Sequence, residues 1–174
     1  MYRRLLQYTL DGVSRLDRVD RELWCDGDVG IGTVCRRFAE RYGLSLRRQQ
    51  GADLGVRMHH ALAAESCDAG AVLIGSDCPG YDAPYLLSAF DALKTHDAVL
   101  GPALDGGYVL IGMKQPHRRL FEDVAWSGPQ VLEQTRARLR ELKLRWHELP
   151  PLRDLDRPED LAFLPVVLQP NPPA

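Results

Sequence analysis

Three short apolar runs constrain this chain more than any other feature: Ala71-Val72-Leu73-Ile74-Gly75, Ala98-Val99-Leu100-Gly101 and Tyr108-Val109-Leu110-Ile111-Gly112. Runs of this length bounded by turn residues read as buried strands. The first is continuously apolar and is followed at once by Ser76-Asp77-Cys78-Pro79-Gly80. It is therefore expected to be covered on both faces, as a central parallel strand is. Between the runs, apolar residues recur at helical spacing. Residues 2–16 carry Leu5, Leu6, Leu10, Val13 and Leu16, and a second helix carries Val34, Phe38, Ala39 and Tyr42 before Gly43. Asp53 is placed to cap a third helix with Leu54, Met58, Ala61 and Leu62 on one face. Further helices are expected over about 84–94 and 129–142, with a short one from Arg157; weaker strands are expected at Arg21–Cys25, Leu44–Arg47 and Leu144–Leu149. Strand and helix alternate throughout, which predicts an α/β sheet with helices on both faces.

A single domain over 1–166 is expected, followed by a disordered tail over 167–174 that ends in Gln169-Pro170-Asn171-Pro172-Pro173-Ala174. The formal net charge of -2 provides no basic field for a nucleic-acid backbone. The longest apolar runs fall far short of the ~20 residues of a membrane span, so no membrane partner is expected. Cys25, Cys35, Cys67 and Cys78 form no CxxC pair, and a chain of this length does not need disulfides, so a reducing cytoplasm is the expected setting. His59-His60 lacks a third ligand at a recognisable spacing and reads as a helix-surface pair.

In open α/β sheets ligands bind outside the carboxyl ends of the strands. Asp77 stands at such an end, where Pro79-Gly80 turns the chain; its bland role would be to cap that turn or the next helix. Asp105 follows the second apolar run, and Gly106-Gly107 after it permit a close backbone approach or an unusual dihedral. Two carboxylates at ~4 Å repel by about 4 kcal/mol at an effective dielectric near 20. A divalent cation relieves that cost, and oxygen-only ligands suit Mg²⁺ or Mn²⁺. A third acidic group, Asp154-Leu155-Asp156-Arg157-Pro158-Glu159-Asp160, contains a capping box of Asp156 and Glu159. Asp26-Gly27-Asp28 has the DxD form of many metal-dependent glycosyltransferases, but a loop after a strand collects Asp and Gly anyway. No P-loop, dinucleotide fingerprint or GxSxG elbow is present.

Together "LIGSDCPG", "VLGPALDGGYVLIG", Trp126-Ser127, "DLDRPEDL" and "QQGADLGVRM" resemble the bacterial glycosyltransferase-like proteins known as radical-SAM/selenodomain-associated transferases, a family of unknown function with the GT-A fold. The resemblance runs from about Tyr2 to Leu164. It implies a Rossmann-like α/β sandwich of the nucleotide-diphospho-sugar transferase kind. It also implies a nucleotide or nucleotide-sugar donor, an unidentified acceptor, and Mg²⁺ or Mn²⁺. By resemblance Asp77 binds the catalytic cation, Asp156 supplies another contact, and Asp105 lies beside the acceptor or second phosphate. Gln49, Asp53, Gly75, Ser76, Gly101, Pro102, Gly106 and Gly107 would surround the nucleotide, with Ala103 beside them. Glycosyl transfer is the first reading, and nucleotidyl transfer of the molybdopterin or deazaflavin-precursor type is the alternative.

Members of that family normally begin with a strand and a basic loop resembling K-x-P-x-P-G-x-V-K-T-R, which this sequence does not show. An N-terminally shortened GT-A domain is therefore expected. Unpaired strand edges in such a domain would invite dimerisation, and a non-catalytic ligand- or partner-binding module is the third reading.

Overall fold

A computed structural model of the chain describes residues 2–27, 33–64 and 69–155. Helix α1 (Tyr2–Val13) buries Leu5, Leu6, Thr9 and Leu10 along one stripe, the spacing an amphipathic helix needs. Strand β1 (Glu22–Cys25) pairs in parallel with β2 (Ser45–Arg48) through the crossover helix α2 (Thr33–Tyr42). Gly43 adopts φ +61° just past α2, the left-handed stop expected of a glycine there. Helix α3 (Leu54–Ala64) begins on Asp53, whose Oδ1 accepts the Val56 N–H at 2.9 Å.

Strand β3 (Ala71–Ile74) is followed by α4 (Ala83–Thr95), β4 (Ala98–Pro102) and β5 (Tyr108–Met113). A 3₁₀ turn at Arg118–Phe121, helix α5 (Val131–Glu141) and β6 (Trp146–Glu148) complete the described elements. Helix α4 starts at Asp82, whose carboxylate accepts the Tyr85 N–H at 2.8 Å; Asp77 does not cap it.

The elements form two sheets among the described residues, one of β1 and β2 and one ordered β3-β5-β4-β6. Strand β5 runs antiparallel to both β3 and β4, while β4 and β6 are parallel. The connection from β4 to β5 is a tight turn, too short for the dozen or more residues that a parallel crossover requires. One expectation is corrected here. Among the described residues Ala71–Ile74 stands at the edge of its sheet, antiparallel to its neighbour, and all four residues are only half-buried. Continuous apolarity reports cover on both faces; it does not fix position in the sheet or direction. The central, fully buried strand is β4.

Alternation along β4 divides the core between its two faces. Val99 joins Leu86, Ala89 and Leu93 of α4 and Leu110 on one side. Leu100 and Ala98 join Leu62 of α3, Ile111, Met113, Leu120, Phe121 and Leu139 of α5 on the other. Each fully buried Leu of this kind contributes about 1.5–3 kcal/mol relative to exposure. The helix expected from Arg157, the capping box of Asp156 and Glu159, and the tail 167–174 lie outside the described residues.

Candidate functional site at the carboxyl ends of the strands

Because β3 and β4 are both antiparallel to β5, and β6 is parallel to β4, the carboxyl ends of β3, β4 and β6 share one rim. Asp77 follows β3 there. The place of a Cβ on Gly75 lies 2.6 Å from Asp77 Oδ1, so the carboxylate folds back over the end of its own strand. The turn is anchored from below. Cys78 is fully buried and donates its Sγ–H to the Arg153 carbonyl at 3.4 Å, and Tyr81 donates its hydroxyl to the Val109 carbonyl.

The segment after β6 closes on the same turn. Leu152 donates to the Pro102 carbonyl and Leu104 donates to the Leu152 carbonyl, so the chain runs beside the end of β4. Leu155 N–H then reaches the Asp77 carbonyl at 3.2 Å. This brings Asp154 to the turn. Burial pushes the Cys78 thiol up to about 11, and the charges of both Asp77 and Asp154 add to that rise. Sequence reasoning placed the weight of this acidic segment on Asp156, which lies outside the described residues. Asp154 was visible only as one acid among several, since no local pattern predicts the Leu155 contact.

Asp105 occupies the β4–β5 turn and stays exposed, its Oδ1 accepting the Gly107 N–H at 2.8 Å. Gly106 has φ +97°, and a Cβ there would meet the Pro129 carbonyl oxygen at 2.1 Å. That glycine thus lets the turn dock on the start of α5, where Leu132 N–H bonds its carbonyl at 2.9 Å. Gly101 is buried with the Tyr85 hydroxyl 2.6 Å from where a Cβ would sit, and Pro102 is buried beside it. Ser127, next to Trp126, is exposed and holds a left-handed φ of +68°. Backbone of this kind is uncommon for a residue other than glycine.

A second group of sequence-predicted residues stands at the ends of β1 and β2. Gln49 is fixed by two bonds, its N–H to the Cys25 carbonyl and its Nε2 to the Trp24 carbonyl. Asp53 is engaged as the α3 cap. Arg57 pairs with Asp26 at 2.8 Å and also reaches the Gly51 carbonyl, which ties the first acid of the DxD sequence to α3. The start of α3 is seated on the other group through Gly55, whose missing Cβ leaves space for Trp126, and through Met58, whose sulfur accepts from Tyr108. His59 and His60 are half-buried, with rings edge-on to Phe121 and Trp24, so neither stands on open surface as expected.

Among the described residues, no cluster of three or more His, Cys, Asp or Glu gathers at metal-binding distance. The donor chemistry at the Asp77 turn nevertheless suits Mg²⁺ or Mn²⁺. Such ions commonly use one or two carboxylates, several waters and substrate phosphates. A pocket of about 280 Å³ lies elsewhere, lined by Trp24, Arg47, Arg48, Gln50, His60 and Ala64. It includes neither Asp77 nor Asp105. No described helix is long and apolar enough to cross a membrane.

Residues 9–128 match a family described as "Uncharacterized protein conserved in bacteria (DUF2064)". The chain is also similar to a solved structure from Desulfovibrio desulfuricans G20, described as a "putative nucleotide-diphospho-sugar transferase". Identity is 32%, the TM-score is 0.75, and the match covers 89% of this chain and 68% of that one. A second structure, the 4-diphosphocytidyl-2C-methyl-D-erythritol synthase of Anaerococcus prevotii DSM 20548, is 14% identical with a TM-score of 0.66. That match covers 91% of this chain and 83% of the other, and shows a shared fold. No curated protein matches the chain.

Proposed function

The chain belongs to the DUF2064 family, and from that premise we propose that it is a nucleotide-sugar-dependent transferase whose donor diphosphate binds at the Asp77 rim with Mg²⁺ or Mn²⁺. The observation that carries this reading is the convergence of the Asp77 turn, the Asp105 turn and the Arg153–Leu155 segment at one end of the sheet. The 32% identical neighbour supports the donor class.

In this reading Asp77 and Asp154 hold the cation, with Asp156 a further candidate. When bound, the cation offsets negative charge that builds on the phosphate leaving group. The chain's own contribution is preorganisation. The Asp77 carboxylate folds over the strand end beside Gly75, and the buried Cys78 and Tyr81 contacts hold the turn in place before any ligand arrives. Fixed charges of that sort cost no rearrangement as the reaction proceeds. Asp105, held by the Gly107 N–H, is the group that faces the acceptor, and Gln49 and the α3 start border the nucleotide.

Nucleotidyl transfer would use the same rim, with a nucleoside triphosphate as donor. Titration calorimetry with Mn²⁺ against nucleoside diphosphates, triphosphates and sugar nucleotides separates the two. Cation-dependent binding that prefers a diphosphate sugar supports glycosyl transfer, and preference for a triphosphate moves the assignment to nucleotidyl transfer. Absence of cation-dependent binding across the panel overturns both.

A further inference from the structure

Two histidines stand side by side at the amino end of β4, the end away from Asp77 and Asp105. His96 closes α4 just before that strand, and His147 lies on β6 opposite Val99. Successive residues of a strand point to opposite faces. Trp146 and Glu148 face α5, where they meet Arg140 and Arg136, so His147 faces the α4 side. There its ring centroid is 5.5 Å from that of His96, with the two planes inclined by 48°. The backbone beneath both rings is locked together. The N–H groups of Asp97 and Ala98 both bond the Arg145 carbonyl, and the Asp97 carboxylate accepts the Arg145 N–H at 2.8 Å.

The spacing is that of two imidazoles on one ion. With metal–nitrogen bonds of about 2.0–2.1 Å and a tetrahedral angle between them, the ring centroids stand about 5 Å apart. The hydrogen bonds of His96 point the same way. Its Nδ1 lies 3.2 Å from the Ala92 carbonyl oxygen and 3.0 Å from Thr95 Oγ1. A carbonyl only accepts, so Nδ1 carries the hydrogen and Nε2 keeps its lone pair. Metal-bound histidines almost always donate their other ring N–H to a carbonyl, a carboxylate or water. Among the described residues neither His96 Nε2 nor the His147 ring has a hydrogen-bond partner.

We propose that His96 and His147 form a binding site for Zn²⁺, which His96 holds through Nε2 and His147 through one ring nitrogen. Imidazole suits zinc, whereas Mg²⁺ takes oxygen ligands, so the pair selects a different class of ion from the Asp77 rim. No third His, Cys, Asp or Glu of the described residues joins the two, and waters complete the tetrahedral shell. Closed structural zinc sites use four protein ligands; two ligands with open positions make an exchangeable site. The inference is independent of the nucleotide reading.

The probe is ZnCl₂ added to the full, untagged chain, with affinity read by calorimetry and the imidazole nitrogens followed by NMR. The first ion bound is expected to shift the His96 and His147 rings together, with His96 keeping its hydrogen on Nδ1, and to leave His117 in place. His147 is exposed, so His147→Gln leaves the fold untouched. It and His96→Gln are each expected to weaken binding by about a hundredfold, since the second ligand is then no longer delivered within one molecule. His117→Gln should bind as the unmodified chain does, and Mg²⁺ at about a hundredfold excess should not displace the zinc. The proposal is overturned by no binding, by a shift of only one of the two rings, by undiminished binding in either His96→Gln or His147→Gln, or by displacement with Mg²⁺.

Discussion

Strands β4 and β1 belong to different sheets and are held by different forces. All five residues of β4 are buried, and the strand pairs on both edges. Among the described residues strand β1 has one neighbour, and only its last residue is buried. Its exposed side is knitted by polar contacts: Glu22 accepts from the Trp24 indole at 2.9 Å and from Arg47 Nε at 2.7 Å. Exposed ion pairs of that type are worth about 0.2–1 kcal/mol, whereas one buried leucine is worth several times that. Asp77 and Asp105 therefore stand on the rigid sheet, and Gln49, Asp26 and Arg57 stand on the lighter one. Under the proposed function the end that would bear the cation is fixed in advance, while the end that would border the nucleotide stands on the less buried sheet.

The sharpest way to break this contrast is to remove matched side chains. Leu100 is fully buried, so Leu100→Ala is expected to cost about 2–5 kcal/mol in denaturant unfolding. Leu23→Ala on β1 is expected to cost less than about 1.5 kcal/mol, since a half-exposed side chain loses little transfer energy. Equal losses would contradict the division. Next in size is Gly106→Ala, where the left-handed backbone and the Pro129 carbonyl both resist a Cβ. A loss of about 1–3 kcal/mol is expected, with the Asp105 turn displaced.

The helix caps offer a finer comparison. Asp82→Ala and Asp53→Ala each remove one carboxylate bond to a first-turn N–H, at about 1 kcal/mol apiece. The Asp82 loss should appear in global unfolding because α4 packs on the central sheet. The Asp53 loss should appear chiefly as faster hydrogen exchange at the start of α3. The smallest effect is on pH dependence. Paired hydrogen bonds from Arg136 hold Glu148 below the usual carboxylate range. A depressed folded pKa stabilises above the unfolded value near 4.3 and loses that contribution as pH falls through the folded pKa. Glu148→Gln should flatten the acid limb of stability by about 0.2–1 kcal/mol, measured by unfolding between about pH 5 and 2.5.

Much of the scaffold was legible because it depends on local chemistry. The Asp53 cap, the left-handed Gly43 and the apolar runs of β4 and β5 are each decided within a few residues. The edge position of β3 was not legible, because a strand between two helical layers is apolar whether or not both its edges are paired. At the site, Asp77 and Asp105 stood out through the turns that follow them. Asp154 and the Arg57–Asp26 pair did not, since they depend on contacts 77 with 155 and 26 with 57 that no periodicity encodes. Gly106 was expected to permit a close approach or an unusual dihedral; it holds φ +97°, and the place of its missing Cβ lies 2.1 Å from the Pro129 carbonyl oxygen.

The central claim is that Asp77 holds the cation that holds the donor. Its most direct test is calorimetric titration of Asp77→Asn against the preferred nucleotide with and without Mn²⁺, beside the unmodified chain. The account predicts that the unmodified chain binds at least about tenfold more tightly with Mn²⁺ than without, and that Asp77→Asn abolishes this difference while unfolding with unchanged cooperativity. A well-folded Asp77→Asn that keeps the full Mn²⁺ enhancement would contradict it.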